Sequence, residues 1–173
     1  IKTGLYKTVL VVAAEVLHHN VDYTDRETCI LFGDGAGSVV LGRNEEPQSS
    51  RILSSHHYSD GDLGDLLIVP GGGSKIPMTH EAVDLKLNKI KMKGREIFKH
   101  AVRTLTRCSQ EALQSNNLTI EQLDWFVPHQ ANIRIIEAVA KHFGIPNDKV
   151  IVNIENMGNT SSATIPVVFD QAV

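Results

Sequence analysis

Asp124-Trp125-Phe126-Val127-Pro128-His129-Gln130-Ala131-Asn132 is an apolar run stopped by a proline and followed at once by a histidine. Leu123 to Val127 suits a buried strand, and Ala131 to Phe143 has the apolar spacing of a helix closed by Gly144 and Pro146. Val150 to Ile154 reads as the next strand, and a last helix starts near Ser161. Strands alternating with helices predict an α/β layered fold, which places its chemistry in the turns at the C-terminal ends of the strands. Two turns qualify: Pro128-His129-Gln130 and Met157-Gly158-Asn159.

Working toward the N-terminus, Lys93 to Leu113 carries Ile97, Phe98, Ala101, Val102, Leu105, Cys108, Ala112 and Leu113 at helical intervals, one apolar stripe. Thr8 to Ala14 is a valine-rich run suited to a strand buried on both faces. Thr28 to Phe32 and Ser38 to Leu41 are further strand candidates, with Gly33-Asp34-Gly35-Ala36-Gly37 expected to turn between them. Asn44 to Ser50 and Ser59 to Lys75 are polar or glycine-rich and read as surface connections. Ile1 to Gly4 has the look of a helix's last turn, and Ser162 to Val173 stops without a capping signal. Both ends are therefore expected to be cut from a longer protein.

The 173 residues are 42% hydrophobic and 21% charged with a net charge of -3, the ordinary globular range rather than the disordered or fibrous one. No run reaches the roughly 18 apolar residues of a membrane span, and Ile1 to Leu10 lacks the layout of a secretory signal. Cys29 and Cys108, the two cysteines, form no CxxC pair, which points away from a disulfide framework and a zinc ribbon. Gly33 to Gly37 lacks the third glycine of GxGxxG, and Pro70 to Lys75 lacks the Walker order, so no nucleotide site is expected. The pairs His18-His19 and His56-His57 have no carboxylate or cysteine at ligand spacing, so no metal is expected.

His129, held where a strand ends, has two readings: a proton-transfer or hydrogen-bonding group, or a histidine satisfying a local carbonyl. Asn159 is equally a helix cap or a polar donor, since Gly158 lets the backbone bend and Thr160, Ser161 and Ser162 can cap. Two neutral donors at neighbouring strand ends would suit a thioester oxygen as it becomes an enolate.

Asp124 to Asn132, followed by Gly158-Asn159-Thr160-Ser161-Ser162-Ala163, resembles the paired His and Asn motifs of the β-ketoacyl-ACP synthase III family. Thr24-Asp25-Arg26, Phe32 to Gly37 and Ser59-Asp60-Gly61 resemble it too, in the expected order, so the likeness covers nearly the whole chain. The resemblance implies a thiolase-like layered αβαβα fold, here incomplete: residues 1–45 end the N-terminal half and residues 46–173 form a truncated C-terminal half. It implies the condensation of an acyl-CoA starter with malonyl-ACP to give a 3-oxoacyl-ACP, initiating fatty acid synthesis. His129 and Asn159 match the residues that hydrogen-bond the malonyl thioester oxygen, and no cofactor is implied. The nucleophilic cysteine of the family belongs to a motif upstream of Ile1, with a second oxyanion donor beyond Val173, so this chain alone is expected to be inactive.

Basic residues Lys86, Lys89, Lys91, Lys93, Arg95, Lys99, Arg103 and Arg107 occur with Glu96 as the one acid between Lys86 and Arg107. Arg95, Lys99, Arg103 and Arg107 share a helix face, either a solvated face or a docking site. By resemblance, Lys99, Arg134 and Lys141 dock the acidic acyl carrier protein, with His142 where some members carry another basic residue. Arg26 matches the arginine that packs on the CoA adenine. Phe32, Met92 and Phe98 match acyl-pocket positions, for which a plain core role is the alternative, and Asn132 joins the substrate-binding set. A homodimer in the bacterial cytoplasm or plastid stroma is implied, without nucleic acid or membrane partners. The alternatives are a related polyketide or quinolone-type condensing enzyme and a catalytically silent partner chain.

Overall fold

The computed structural model describes residues 1–44, 46 and 50–172. The expected connection from Asn44 to Ser50 and the close of the last helix at Val173 lie partly outside the described residues.

Strand β1 (Thr8–Glu15) pairs antiparallel with β2 (Gly35–Gly42), Thr8 opposite Gly42 and Glu15 opposite Gly35. The valines of β1 favour the extended backbone because branching at Cβ restricts their rotamers. Gly37, Val39 and Leu41 of β2 turn toward helix α5 (Thr164–Ala172), whereas Leu10, Val12 and Val40 on the opposite face are 61%, 61% and 66% exposed. The expectation of strands buried on both faces is corrected: the face toward α5 is at most half-buried, with Val11 opposite Val39 still 48% exposed, and the other face is open among the described residues.

The second strand candidate is corrected. Thr28 to Leu31 is a succession of turns and Phe32 makes a single bridge, because the Asp25 carboxylate accepts hydrogen bonds from Glu27 N (3.0 Å) and Thr28 Oγ1 (2.8 Å) and the Asp25 carbonyl accepts from Cys29 N (3.0 Å). An aspartate holding the backbone ahead of it competes with strand pairing in this way. Nor do the glycines turn between strands, since Gly35 and Gly37 lie inside β2. A Cβ at Gly37 would sit 2.9 Å from Pro166, and one at Gly33 would overlap the Met157 carbonyl oxygen. Bare backbone is what lets this segment approach α5 and the turn before it.

The stretch from Ser59 to Lys75, expected as a connection, includes a 3₁₀ turn at Gly61–Leu66 and strand β3 (Leu67–Ile68). β3 pairs antiparallel with β4 (Lys91–Met92), Leu67 opposite Met92, and α1 (His80–Asp84) is capped by Thr79 Oγ1 accepting from Ala82 N at 3.1 Å.

The long helix is observed as α2 (Gly94–Ser115), its apolar stripe half-buried and Arg95, Lys99, Arg103 and Arg107 exposed. It packs against α3 (Ile133–Phe143). Asn132 Oδ1 accepts from Arg134 N (2.9 Å) to start α3, and Gly144 at φ +67° ends it. Ile135, Ile136, Val139 and Ala140 of α3 join Ala163 and Val168 in the buried core.

The strands expected at Leu123 to Val127 and Val150 to Ile154 shrink to one parallel bridge, Phe126 to Val150, made by Phe126 N to Lys149 O (2.8 Å) and Ile151 N to Phe126 O (3.0 Å). Pro128 has no N–H for the next rung. Ile154 opens a one-turn helix, α4 (Ile154–Met157), rather than ending a strand.

Candidate functional site

Asn159 is positioned by its own backbone. Its N–H donates to Leu31 O (2.8 Å) and its carbonyl accepts from Gly33 N (3.0 Å), a parallel bridge to Phe32. Immediately before it, Gly158 has φ +66° and ψ -167°, a combination that essentially excludes side chains. The Asn159 side-chain Oδ1 accepts from Ser161 N at 2.9 Å, which turns the Nδ2 amide away from its own backbone. Among the described residues Nδ2 has no hydrogen-bond partner. Glu15, at the end of β1, accepts from Ser162 N and Oγ, and these bonds hold its carboxyl below the ordinary range.

His129 lies between two buried neighbours, Pro128 and Gln130, the latter with no exposed surface. Burial pushes its imidazole pKa down, because desolvation disfavours the cation. At neutral pH the ring is therefore neutral and carries one N–H. His129, Asn159 and Ser161 form the polar side of one cavity of about 270 Å³, whose apolar side comes from Leu17, Phe32, Ile90 and the Leu67–Val69 segment. Two neutral donors facing a partly apolar hollow can stabilise an oxygen on which negative charge develops, where the low dielectric strengthens each hydrogen bond.

The remaining sequence candidates are distributed around this hollow. Phe32 lines it. Met92 sits half-buried on β4 opposite Leu67, outside the cavity lining. Phe98 lies at the α2–α3 seam, where the Arg134 guanidinium sits 5.7 Å from its ring centroid. Asn132 serves as the cap of α3. Arg26 is exposed just beyond the Asp25 turn, Lys99 is exposed on α2, and Lys141 is exposed in the last turn of α3. Two members of the basic cluster have internal partners instead: Lys86 Nζ is 2.9 Å from Asp22 and donates to Thr24 Oγ1 (2.6 Å), and Lys89 Nζ donates to His19 O (2.8 Å). The Thr24 hydroxyl, and after it Lys86, hold the buried Asp22 carboxyl well below the usual carboxylate range.

A larger hollow of about 530 Å³ lies between Tyr58–Asp60 and the Arg103–Arg107 face of α2, away from His129 and Asn159. Arg107 is 4.9 Å from the Tyr58 ring centroid and 3.6 Å from Glu111. Among the described residues no group of three or more His, Cys, Asp or Glu side chains is gathered to hold a metal, and no helix is long and apolar enough to cross a membrane. Cys29 and Cys108 are half-buried and thiol, and neither lines the His129–Asn159 cavity. Leu17, the Leu67–Val69 segment and Ile90 gave no signal in the sequence, because they reach the cavity through chain crossings that no local pattern encodes.

Residues 1–61 match the model of the family described as 3-oxoacyl-[acyl-carrier-protein] synthase III, and residues 113–173 match the model of its C-terminal part. A β-ketoacyl-[acyl-carrier-protein] synthase III of Oleidesulfovibrio alaskensis is 49% identical over 165 residues, 95% of this chain and 50% of that protein. The crystal structure of 3-oxoacyl-[acyl-carrier-protein] synthase III from Aquifex aeolicus superposes with a TM-score of 0.84 at 43% identity, covering 99% of this chain and 50% of that one. The priming β-ketosynthase of the R1128 polyketide pathway gives a TM-score of 0.78 at 33% identity, covering 96% of this chain and 48% of that one. The chain thus spans about half the length of the relatives it matches, and it shares their thiolase fold.

Proposed function

Because the chain belongs to the 3-oxoacyl-acyl-carrier-protein synthase III family, we propose that it supplies the decarboxylation half of a priming condensing enzyme. In that reaction a malonyl thioester loses carbon dioxide, and the electron pair of the broken C–C bond moves into an enolate. The enolate carbon attacks an acyl thioester on a cysteine, a new C–C bond forms, and the thiolate leaves. His129 N–H and Asn159 Nδ2 donate to the thioester oxygen as it gains negative charge, and no cofactor takes part. The nucleophilic cysteine lies outside this chain, a reading supported by the absence of Cys29 and Cys108 from the residues that line the cavity. Residues 1–45 end one thiolase-like half and 46–173 belong to the other.

The observation that carries this reading is the convergence of a neutral histidine and an asparagine with an unengaged amide on one cavity. Acyl-CoA provides the starter, with Arg26 against its adenine and Phe32, Met92, Phe98 and Asn132 toward its acyl and pantetheine portion. Acyl carrier protein docks at Lys99, Arg134 and Lys141, and the enzyme works as a homodimer in a bacterial cytoplasm or plastid stroma. The likeness to the polyketide priming synthase supports a second reading, the same chemistry feeding a polyketide. In the full-length enzyme, His129→Ala and Asn159→Ala should each lower malonyl decarboxylation by about 10² to 10³-fold while acyl transfer from CoA to the cysteine falls much less. Decarboxylation at the parent rate in either variant refutes the assignment. Which carrier-bound 3-oxoacyl product accumulates from a panel of starters separates the fatty acid reading from the polyketide one.

A further inference from the structure

Gln130 stands next to the proposed oxyanion histidine and is fully buried, yet it faces the protein interior rather than the cavity. Its amide makes three hydrogen bonds. Nε2 donates to Pro128 O (3.0 Å) and Ile151 O (3.1 Å), and Oε1 accepts from Asn153 N (3.0 Å).

These partners have a specific meaning. In a parallel ladder the residue after the Phe126–Val150 bridge, two positions on, would donate its N–H to Ile151 O and accept from Asn153 N through its carbonyl. That residue is Pro128, which has no N–H. The Gln130 side chain performs both halves of the missing rung, donating to Ile151 O and accepting from Asn153 N, and satisfies the Pro128 carbonyl as well. The chain can therefore leave the strand direction at Pro128 and turn His129 into the cavity while its spacing from the next segment stays fixed. On the other side, the Asn153 carbonyl accepts from Asn156 N (3.0 Å) and Met157 N (3.1 Å) to start α4, which runs into Gly158 and Asn159.

We propose that Gln130 is a positioning residue for the two oxyanion donors: its buried amide replaces the peptide rung that Pro128 cannot make and sets the separation of His129 from Asn159. This rests on the decarboxylation reading above. In the full-length enzyme, Gln130→Met keeps the length and removes every hydrogen bond, and a misplacement near 1 Å at a reacting centre is worth up to about 10²-fold in rate. Decarboxylation per folded molecule should fall about tenfold to a hundredfold, with acyl transfer to the cysteine within about twofold of the parent. Gln171→Leu is the control, because among the described residues the Gln171 side chain accepts only from the Asn153 side chain (2.9 Å) and does not touch the rung. It should leave both half-reactions unchanged per folded molecule.

Gln130→Glu supplies a second readout. Ionised, the introduced carboxylate faces two carbonyl oxygens with nothing to donate. Protonated, it regains one O–H donor and one acceptor. Its decarboxylation relative to the parent should recover as pH falls, which a general loss of stability would not produce. Equal loss of both half-reactions in Gln130→Met, unchanged decarboxylation, or no recovery of Gln130→Glu at low pH overturns the proposal. Failure of both variants to fold at any pH overturns it too, by assigning the amide to folding alone. An unimpaired His129→Ala variant would instead sink the decarboxylation reading on which it rests.

Discussion

Gly158→Ala tests how the Asn159 donor is held. The wild-type backbone at φ +66° and ψ -167° lies in a region that an L-alanine reaches at a cost of about 1–3 kcal/mol. The added Cβ would also lie 3.1 Å from Leu31 O and 3.3 Å from Gly33 N, the two groups flanking the Asn159 bridge, so either the turn or its partner must shift by a few tenths of an ångström. Asn159 is the next residue, and its bonds to Leu31 O and Gly33 N are the ones disturbed. Denaturant unfolding of the full-length variant should show the loss of about 1–3 kcal/mol. Complete loss of an oxyanion donor costs about 2.7–4 kcal/mol, so a displaced donor should lower decarboxylation by less than Asn159→Ala does, on the order of tenfold. Acyl transfer to the cysteine should change less. A variant with parental stability and parental decarboxylation would show that this turn neither needs glycine nor sets the donor, and the geometric account of Asn159 would be wrong.

Other outcomes follow from the same contacts. Folding should become less favourable as pH falls below the ordinary histidine value of about 6.5, because the unfolded chain binds a proton that buried His129 resists. Urea titrations of His129→Gln against the parent should lose this part of the pH slope, and identical slopes would remove the burial argument. Asp22 acts in the same direction at lower pH: its depressed pKa stabilises the fold above the usual carboxylate range and that stability is lost on acidification, so Asp22→Asn should flatten the acid limb of the stability curve. Lys99→Glu or Arg134→Glu should raise KM for malonyl-ACP much more than for malonyl-CoA, with a steeper salt dependence in the parent, and equal effects would return both residues to a solvated face. Residues 1–173 expressed alone should associate or precipitate through the open face at Leu10, Val12 and Val40, whereas a monomer that melts cooperatively would show that this face tolerates water.

Legibility of the fold followed the range of the forces that make each element. α2 and α3 are readable because their apolar residues recur within one helix, and Gly144, which closes α3, acts within a few residues; the Asn132 cap at its start is found only in the folded chain. Thr28 to Phe32 was misread because strand propensity yielded to the Asp25 side chain, a local hydrogen-bond competitor that propensity does not weigh. Val150 to Ile154 was misread for a longer-range reason. Its apolar composition is real, but its pairing partner ends at Pro128, so only a bridge forms and the chain coils into α4.

The site was legible where one turn carried both the signal and the chemistry, and illegible where two segments had to meet. His129 and Asn159 each follow a break that the sequence announces, Pro128 in one case and Gly158 in the other. Their shared cavity depends on Asn159 pairing with Phe32 across 127 residues, and that pairing depends on Gly33 having no Cβ to strike the Met157 carbonyl. The glycine run therefore read as a turn when its role is to permit contact with a segment more than a hundred residues away. Gln130 shows no role in the sequence for a similar reason. A glutamine beside a proline is unremarkable until Ile151 O and Asn153 N are found waiting for the rung the proline cannot supply. Residue type announces the donors, but the distance between them is set by backbone groups that every residue shares, and only the folded chain assigns those.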